Sequence, residues 1–147
     1  MSQEQYQKKR NNPTTTKPQS KNPIYIIQQH NATRLHWDLR LEIDNTLKSW
    51  ALPKEPPTEI GTKRLAVETQ DHPIEYAAFE GTIPKGSYGA GEVKIWDKGT
   101  FTMIESDKDK LIIDIHAKQL NGTYALIKTR FAGSKSKNTW LFFKKKI

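Results

Sequence analysis

The sequence predicts an all-β protein, mainly antiparallel, folded as a barrel or a sandwich. Two observations lead to this fold class. Short runs rich in β-branched and aromatic residues alternate with turn residues from residue 23 onward, and no stretch sustains an apolar repeat of 3.6 residues. Many short strands joined by frequent turns are typical of antiparallel barrels and sandwiches.

Nine strands are predicted from these runs. In chain order they lie near residues 24–30, 34–43, 47–52, 64–69, 91–97, 99–104, 110–117, 123–130 and 139–145.

Turn residues separate the predicted strands. Hairpin turns are expected at Asp44-Asn45, at Asp97-Lys98-Gly99 and at Asn121-Gly122. Longer loops are expected over residues 53–57 and over the glycine-rich residues 81–91, and residues 72–80 are expected to contain a short helical turn.

The composition divides the chain in two. Residues 1–22 contain almost nothing apolar beyond Met1 and Tyr6, so we expect a flexible, basic N-terminal tail. Residues 23–147 are long enough for one domain with a modest core.

The charge balance favours a polyanionic partner. Lys and Arg number 24 against 16 Asp and Glu, a formal net charge of +8. Nucleic acid is the commonest partner of such a surface, although a merely solvated, lysine-rich surface would give the same balance. There is no cysteine, so any metal must be held by imidazole and carboxylate. The apolar runs are too short to span a bilayer and the N-terminus lacks an apolar signal core, so a cytoplasmic location without membrane contact is expected.

The strand predicted over 34–43 carries the strongest functional signal. Its odd positions are apolar, whereas its even positions are all ionisable: Arg34, His36, Asp38, Arg40 and Glu42. On a strand the two sets face opposite ways. Histidine, aspartate and arginine on one face are the groups that hold a divalent metal beside a phosphate.

A metal site is predicted from His30, His36 and Asp38. His36 and Asp38 project to the same face about 6–7 Å apart. Six residues of straight strand would carry His30 about 20 Å away, so a tight connection at residues 31–33 is needed to bring it back. Two imidazoles and one carboxylate suit Mn²⁺, Zn²⁺, Fe²⁺ or Co²⁺. The alternative is an exposed His30 with Asp38 paired to an arginine.

Candidate phosphate ligands come from two segments. Arg40 lies one step beyond Asp38 on the same face, where its guanidinium can contact phosphate oxygens. His72, extended before Pro73, could be a phosphate ligand or general acid, and Tyr76 could add a hydroxyl donor. The glycine-rich segment 80–92 lacks the residue order of a Walker loop.

Four segments together resemble the 3′-phosphoesterase module of bacterial DNA ligase D and its free-standing relatives. They are QQHNATRLHWDLRLE (28–42), SWALPKEPP (49–57), RLAVETQDHPIEYAAFEGTIPKGSYGAGEVKIWDKG (64–99) and TWLFFKK (139–145), in the order of the family. The resemblance implies that residues 23–147 form a small closed or nearly closed β-barrel. Because no ligase or polymerase segment accompanies it, a free-standing module is expected. We also expect the protein to be a monomer.

The resemblance implies a manganese-dependent enzyme, with Co²⁺, Zn²⁺ or another divalent metal as alternatives. Such enzymes remove a 3′-terminal ribonucleoside from DNA to leave a 3′-phosphate and then hydrolyse that phosphate to leave a 3′-OH. The matching positions make His30, His36 and Asp38 metal ligands. They make Arg40, His72 and Tyr76 the catalytic groups that grip and protonate the phosphate. Auxiliary substrate-binding residues implied in the same way are Gln28, Lys54 and Arg64, the last two serving mainly the diesterase step.

Two departures from the family pattern bear on the diesterase step. The family has an Arg-Asp pair where the nearest equivalent here is Arg10-Asn11, and often a glutamate where this chain has Gln70. The expected substrates are primer-template 3′ ends, with a separate ligase, polymerase or Ku protein as partner. Two alternatives remain open from the sequence, a nucleic-acid-binding barrel without catalysis and a general metal-dependent RNase.

Overall fold

The computed structural model describes residues 22–87, 90–129 and 138–146. The predicted tail, apart from Asn22, lies outside these residues, as does the last residue of the strand predicted over 123–130. The described elements are β1 (Ile24–Asn31), β2 (Leu35–Ile43), β3 (Thr46–Leu52), β4 (Lys63–His72), a 3₁₀ helix (Ile74–Ala78), β5 (Gly81–Ile83), β6 (Gly91–Asp107), β7 (Lys110–Ala117), β8 (Asn121–Lys128) and β9 (Thr139–Lys144). None of the described residues forms a helix long and apolar enough to cross a bilayer.

Eight strands close into an antiparallel barrel. They follow the order β1-β2-β3-β4-β9-β8-β7-β6, and β6 pairs back with β1 to complete the circle. The short strand β5 adds to β6, with Gly81 opposite Val93. The all-β antiparallel class and the closed barrel expected from the sequence are therefore confirmed.

The barrel interior is the hydrophobic core. Alternate residues of each strand face inward, so that Leu39 and Leu41 of β2 meet Trp50 of β3 with no exposed surface. Trp140 is also buried, whereas Trp37 and Trp96 are partly buried and pack against the same cluster. Most tryptophans are core residues, as expected from their strand positions.

The hairpins β1–β2 and β2–β3 have the predicted pairing. We call the outward-facing surface of these strands the outer wall. β1 folds back on β2 with His30 directly opposite His36, through a connection at residues 32–34, one residue later than predicted. Between β2 and β3, Asp44 and Asn45 have φ of 54° and 62°. Positive φ at both central residues is the requirement of a two-residue type I′ turn, which Asp and Asn tolerate.

The hairpin predicted at Asp97-Lys98-Gly99 is wrong. The two strands predicted over 91–97 and 99–104 form the single strand β6, which turns back only after Asp107. A bulge between Ile27 and Gln28 in the pairing with β1 leaves Trp96 without a partner. Gly99 serves close packing, because a Cβ there would stand 2.2 Å from the carbonyl oxygen of His116. The Asp-x-Gly pattern that suggests a turn fits this bulge equally well.

Two smaller predictions also need correction. Asn121 and Gly122 begin β8, so the connection from β7 lies at residues 118–120, just before the predicted turn. The predicted loop 81–91 contains β5 at its start. The predicted helical turn within 72–80 is confirmed by the 3₁₀ helix, which follows Pro73.

Candidate metal centre and phosphate site

A cluster of two histidines and one aspartate lies on the outer wall of the barrel. The hairpin of β1 and β2 places His30, His36 and Asp38 so that one ligand atom from each lies within 4.8 Å of the others. An oxygen of Asp38 is 3.6 Å from His30 Nδ1 and 3.3 Å from His36 Nε2. The fold thus brings together the three predicted metal ligands.

The protein backbone orients His36. Its Nδ1 lies 3.0 Å from the carbonyl oxygen of Arg34, which can only accept, so Nδ1 carries the proton. In the neutral ring the lone pair is then on Nε2, which points toward Asp38. A hydrogen bond on the far ring nitrogen is the usual support of a metal-binding imidazole.

The charges of the cluster stabilise one another. The hydrogen bond to Asp38 raises the pKa of His36, against the opposing effect of burial. Burial by itself would raise the pKa of Asp38, but the hydrogen bond from His36 and the charge of Arg40 outweigh it and lower that pKa. The carboxylate is therefore ionised at neutral pH, as a metal ligand must be.

Arg40 is held by four neighbours beside this cluster. It is 4% exposed. Its Nε donates to Gln28 Oε1 at 2.7 Å, and Nη1 donates to Ser49 Oγ at 2.8 Å. Nη1 also lies 3.2 Å from His72 Nδ1, and Nη2 lies 3.5 Å from Asp38. Burial lowers the pKa of Arg40, although an arginine remains charged at any working pH.

Gln28 joins the barrel wall to the segment above it. We call residues 73–83, which contain the 3₁₀ helix and β5, the roof. Fully buried Gln28 accepts from Arg40 and donates through Nε2 to the carbonyl oxygens of Tyr76 at 2.9 Å and Phe79 at 3.1 Å. The structure places it behind Arg40 rather than on the surface of a cleft.

His72 and Tyr76 come from the end of β4 and from the roof. Their rings lie 4.7 Å apart between centroids, and the guanidinium carbon of Arg40 is 4.9 Å from the centre of the Tyr76 ring. Burial, followed by the nearby charge of Arg40, lowers the pKa of His72. Burial raises the pKa of Tyr76, so its hydroxyl keeps its proton.

These side chains share one cleft of about 530 Å³ between the outer wall and the roof. Its lining contains the three predicted metal ligands and all three predicted catalytic groups, together with Ala32, Ala51, Thr69, Gln70 and Ile83. Lys54 and Arg64 are not among the lining residues. Lys54 is exposed in the loop after β3, and Arg64 Nε donates to the carbonyl oxygen of Glu55 at 2.7 Å.

Sequence reasoning missed Ser49 and Thr46. Ser49 is fully buried and accepts from Arg40, while Thr46 Oγ1 donates to the carbonyl oxygen of His72 at 3.0 Å. The signal for Ser49 was present. The turn at Asp44-Asn45 fixes the register that puts Ser49 opposite Arg40.

Comparisons with known proteins identify the family of this chain. The family model described as "DNA Ligase D 3'-phosphoesterase domain" matches residues 28–128. The multifunctional non-homologous end joining protein LigD of Pseudomonas aeruginosa is 41% identical over 97% of this chain and 18% of its own length. The LigD proteins of Mycobacterium tuberculosis and Mycolicibacterium smegmatis are 48% and 46% identical over 71% and 74% of this chain, and 14% and 16% of their own lengths. The chain thus spans less than a fifth of these relatives, and it belongs to the DNA ligase D 3′-phosphoesterase domain family.

Proposed function

We propose that this protein is a divalent-metal-dependent phosphoesterase that repairs 3′ ends of DNA for end joining. It removes a 3′-terminal ribonucleoside to leave a 3′-phosphate, and then hydrolyses that phosphate to leave a 3′-OH. One observation carries the proposal. A two-histidine, one-carboxylate cluster and a buried arginine with a histidine line the same cleft.

The donor set fits a divalent transition metal. Two imidazoles and a carboxylate suit Mn²⁺, Co²⁺, Fe²⁺ and Zn²⁺, and Mn²⁺ is the metal that we expect from the family. When bound, such an ion supplies Lewis-acid polarisation of the phosphate and offsets its developing negative charge. His30, His36 and Asp38 are the residues that would hold it.

Arg40 is suited to orient the phosphate. A guanidinium has five N–H donors: three face acceptors on Gln28, Ser49 and Asp38, and a fourth lies beside the ring of His72. The remaining donor is available to a phosphate oxygen in the cleft. Since the other contacts fix the guanidinium in advance, little reorganisation is needed when charge develops on the phosphate.

His72 is suited to protonate the leaving oxygen once phosphate is bound. Its lowered pKa makes the free imidazole neutral at neutral pH. His72 Nδ1 lies 2.9 Å from the carbonyl oxygen of Gln70, which can only accept, so Nδ1 carries the proton of the neutral ring and Nε2 is the nitrogen that can take up a second proton. A phosphate dianion nearby would raise the pKa of His72 and so favour its protonated form. As water attacks phosphorus and the bond to the 3′ oxygen breaks, His72 delivers its proton to that oxygen, and the Tyr76 hydroxyl donates to the phosphate.

The remaining predicted residues belong to binding of the DNA. Exposed Lys54 and half-buried Arg64 would contact the backbone outside the cleft, and the basic N-terminal tail would add charge, so affinity should fall as salt rises. A separate ligase, polymerase or Ku protein is the proposed partner in end joining, and the protein acts as a monomer.

A 3′-end assay tests the proposal directly. Two DNA primers annealed to a template, one ending in a single ribonucleotide and one in a 3′-phosphate, are incubated with protein and Mn²⁺. We expect both to end as 3′-OH, with the 3′-phosphate as an intermediate of the first. Protein treated with EDTA and given no metal should leave both unchanged. Release of phosphate by that protein would contradict the metal requirement.

The same assay separates the two alternatives. His36→Ala should abolish processing while DNA affinity is retained, which a barrel that only binds nucleic acid would not predict. An internal RNA linkage should resist cleavage, whereas a general RNase would cut it.

A further inference from the structure

A second cavity lies where the bulge in β6 meets the connection between β7 and β8. It has a volume of about 490 Å³ and is lined by Ile95, Trp96, Asp97, Lys98, Lys118 and Gln119. We call it the Trp96 groove. It shares no lining residue with the cleft, so the chemistry proposed above leaves it unexplained.

The groove is held in shape by a buried carboxylate. Asp97 is 5% exposed and accepts from the Tyr25 hydroxyl at 2.8 Å and from the backbone N–H groups of Gln119 and Leu120 at 3.1 and 3.0 Å. Gln119 Nε2 also donates to the carbonyl oxygen of Trp96 at 3.2 Å. Both walls of the groove are therefore fixed to each other before any ligand arrives.

Two exposed lysines give the groove positive charge beside its buried Asp97. Lys98 and Lys118 are exposed, and neither forms an ion pair with a residue that the structure describes. Other lysines do form such pairs, Lys48 with a glutamate of β4 at 3.6 Å and Lys110 with a glutamate of β6 at 2.7 Å. The two lysines of the groove are free to meet an anion.

We propose that the Trp96 groove binds an unpaired nucleotide of the DNA whose 3′ end occupies the cleft, an inference that rests on the proposed function. Trp96 and Ile95 are half-buried lining residues whose remaining apolar surface can meet a base, and Lys98 and Lys118 offer charge to the phosphates on either side. Aromatic side chains beside basic ones are the usual means of binding single-stranded nucleic acid without sequence preference. An acidic peptide would use the lysines but gain little from the indole.

The position of the groove fits this role. Val93 pairs with His30 of the metal cluster, and Trp96 is three residues further along β6, about 10 Å by the rise of a strand. Glu80 of the roof accepts from the backbone N–H of Ile95 at 2.8 Å, so the groove begins beside the roof that covers the cleft. A nucleotide close to the processed end lies within reach of it.

A binding measurement on the full chain with Mn²⁺ tests the groove independently of catalysis. The probe is a fluorescent oligothymidylate ending in 3′-OH, which the enzyme cannot process. The variant Lys98→Ala/Lys118→Ala is compared with the control Lys108→Ala/Lys110→Ala, which removes the same charge from the opposite end of β7, about 25 Å away. We expect the groove variant alone to bind more weakly. Its plot of log affinity against log salt should be shallower by roughly 1.4, since each phosphate contact on a single strand contributes about 0.7.

Two results would overturn the proposal. One is an equal loss of affinity in the groove variant and the control, which would indicate an effect of net charge alone. The other is displacement of the probe by hexaglutamate as effectively as by unlabelled hexathymidylate, which would indicate a site for acidic peptides. Trp96→Leu should weaken oligonucleotide binding but not hexaglutamate binding, provided that its melting temperature shows it to be folded.

Kinetics separate a failure of this inference from a failure of the proposed function. We compare kcat/KM for a 3′-phosphorylated oligonucleotide with kcat/KM for a 3′-mononucleotide. In the groove variant this ratio should fall, because KM for the oligonucleotide rises. An unchanged ratio in an active enzyme would contradict binding of a nucleotide in the groove. If the parent protein processes neither substrate, the proposed function is wrong. The binding measurement then still shows whether the groove binds DNA.

Discussion

The two faces of β2 are buried to nearly the same degree but differ in chemistry. Leu39 and Leu41 face the core with 0% exposure, while Asp38 and Arg40 face the roof with 7% and 4%. Each inward leucine stabilises the fold by about 1.5–3 kcal/mol through apolar burial. On the outward face the loss of hydration of two charges is only offset by their hydrogen bonds. The inward face thus stabilises the fold. The outward face contributes little stability and instead holds the charged side chains in fixed positions.

The largest expected effect is on the outward face. Asp38→Asn keeps the shape of the side chain but removes the charge that a metal ligand needs, so release of 3′-phosphate should fall by roughly 10³-fold, about 4 kcal/mol. Asp44→Asn is the matched control, because Asn tolerates the positive φ of that turn. If Asp38→Asn releases phosphate at a rate within tenfold of the parent, Asp38 is not a metal ligand.

The inward face should respond in stability instead. Leu41→Ala leaves a cavity in the core and should lower the free energy of unfolding by about 2–5 kcal/mol, measured by urea denaturation. Its kcat, measured where the variant remains folded, should stay near that of the parent. Leu65→Ala, at a side chain that is 39% exposed, should cost less than about 0.5 kcal/mol. A large loss of kcat in folded Leu41→Ala would show that the two faces are not separable.

Ser49→Ala should affect both properties modestly. It removes the acceptor of the 2.8 Å bond from Arg40 and leaves a buried N–H without that partner, which should cost about 1–3 kcal/mol of stability. Because Arg40 then loses part of its support, kcat/KM should fall by roughly tenfold. Ser106→Ala, on the exposed end of β6, is the control. Unchanged kinetics would mean that the other contacts hold Arg40 without Ser49.

The smallest effect is a displaced titration at His72. Because burial and Arg40 lower its pKa, the imidazole of the free protein should become protonated only below pH 6.5, the ordinary midpoint. Inorganic phosphate bound in the cleft should move the midpoint upward, since an anion favours the imidazolium. NMR of the His72 ring with and without phosphate measures both. A midpoint that phosphate leaves in place would argue against His72 as the proton donor.

The parts of the site that depend on strand period could be predicted from the sequence. Alternation in β2 separates Leu39 and Leu41 from Asp38 and Arg40, and the need to bring His30 back predicts the hairpin with β1. These inferences require only local geometry, which the chain specifies within a few residues.

The parts that depend on distant contacts could not be predicted in this way. The role of Asp97 is set by Tyr25 and by the connection between β7 and β8, far along the chain in both directions. Gln28 is explained only once the roof lies above it. The local sequence around Asp97 does not distinguish a turn from a bulge, and that around Gln28 does not distinguish a surface amide from a buried one. In both cases the partners that decide come from other parts of the chain.

The origin of the three proposed metal ligands within a single hairpin has a consequence for the order in which the site assembles. Closing the short loop between His30 and Asp38 costs little chain entropy, whereas bringing His72 to Arg40 requires a longer loop and the third and fourth strands of the barrel. Affinity for metal should therefore depend on a local folding event, and the grip on phosphate on the complete tertiary structure. Under mild denaturation the proposed processing of DNA ends should therefore be lost before the proposed binding of metal.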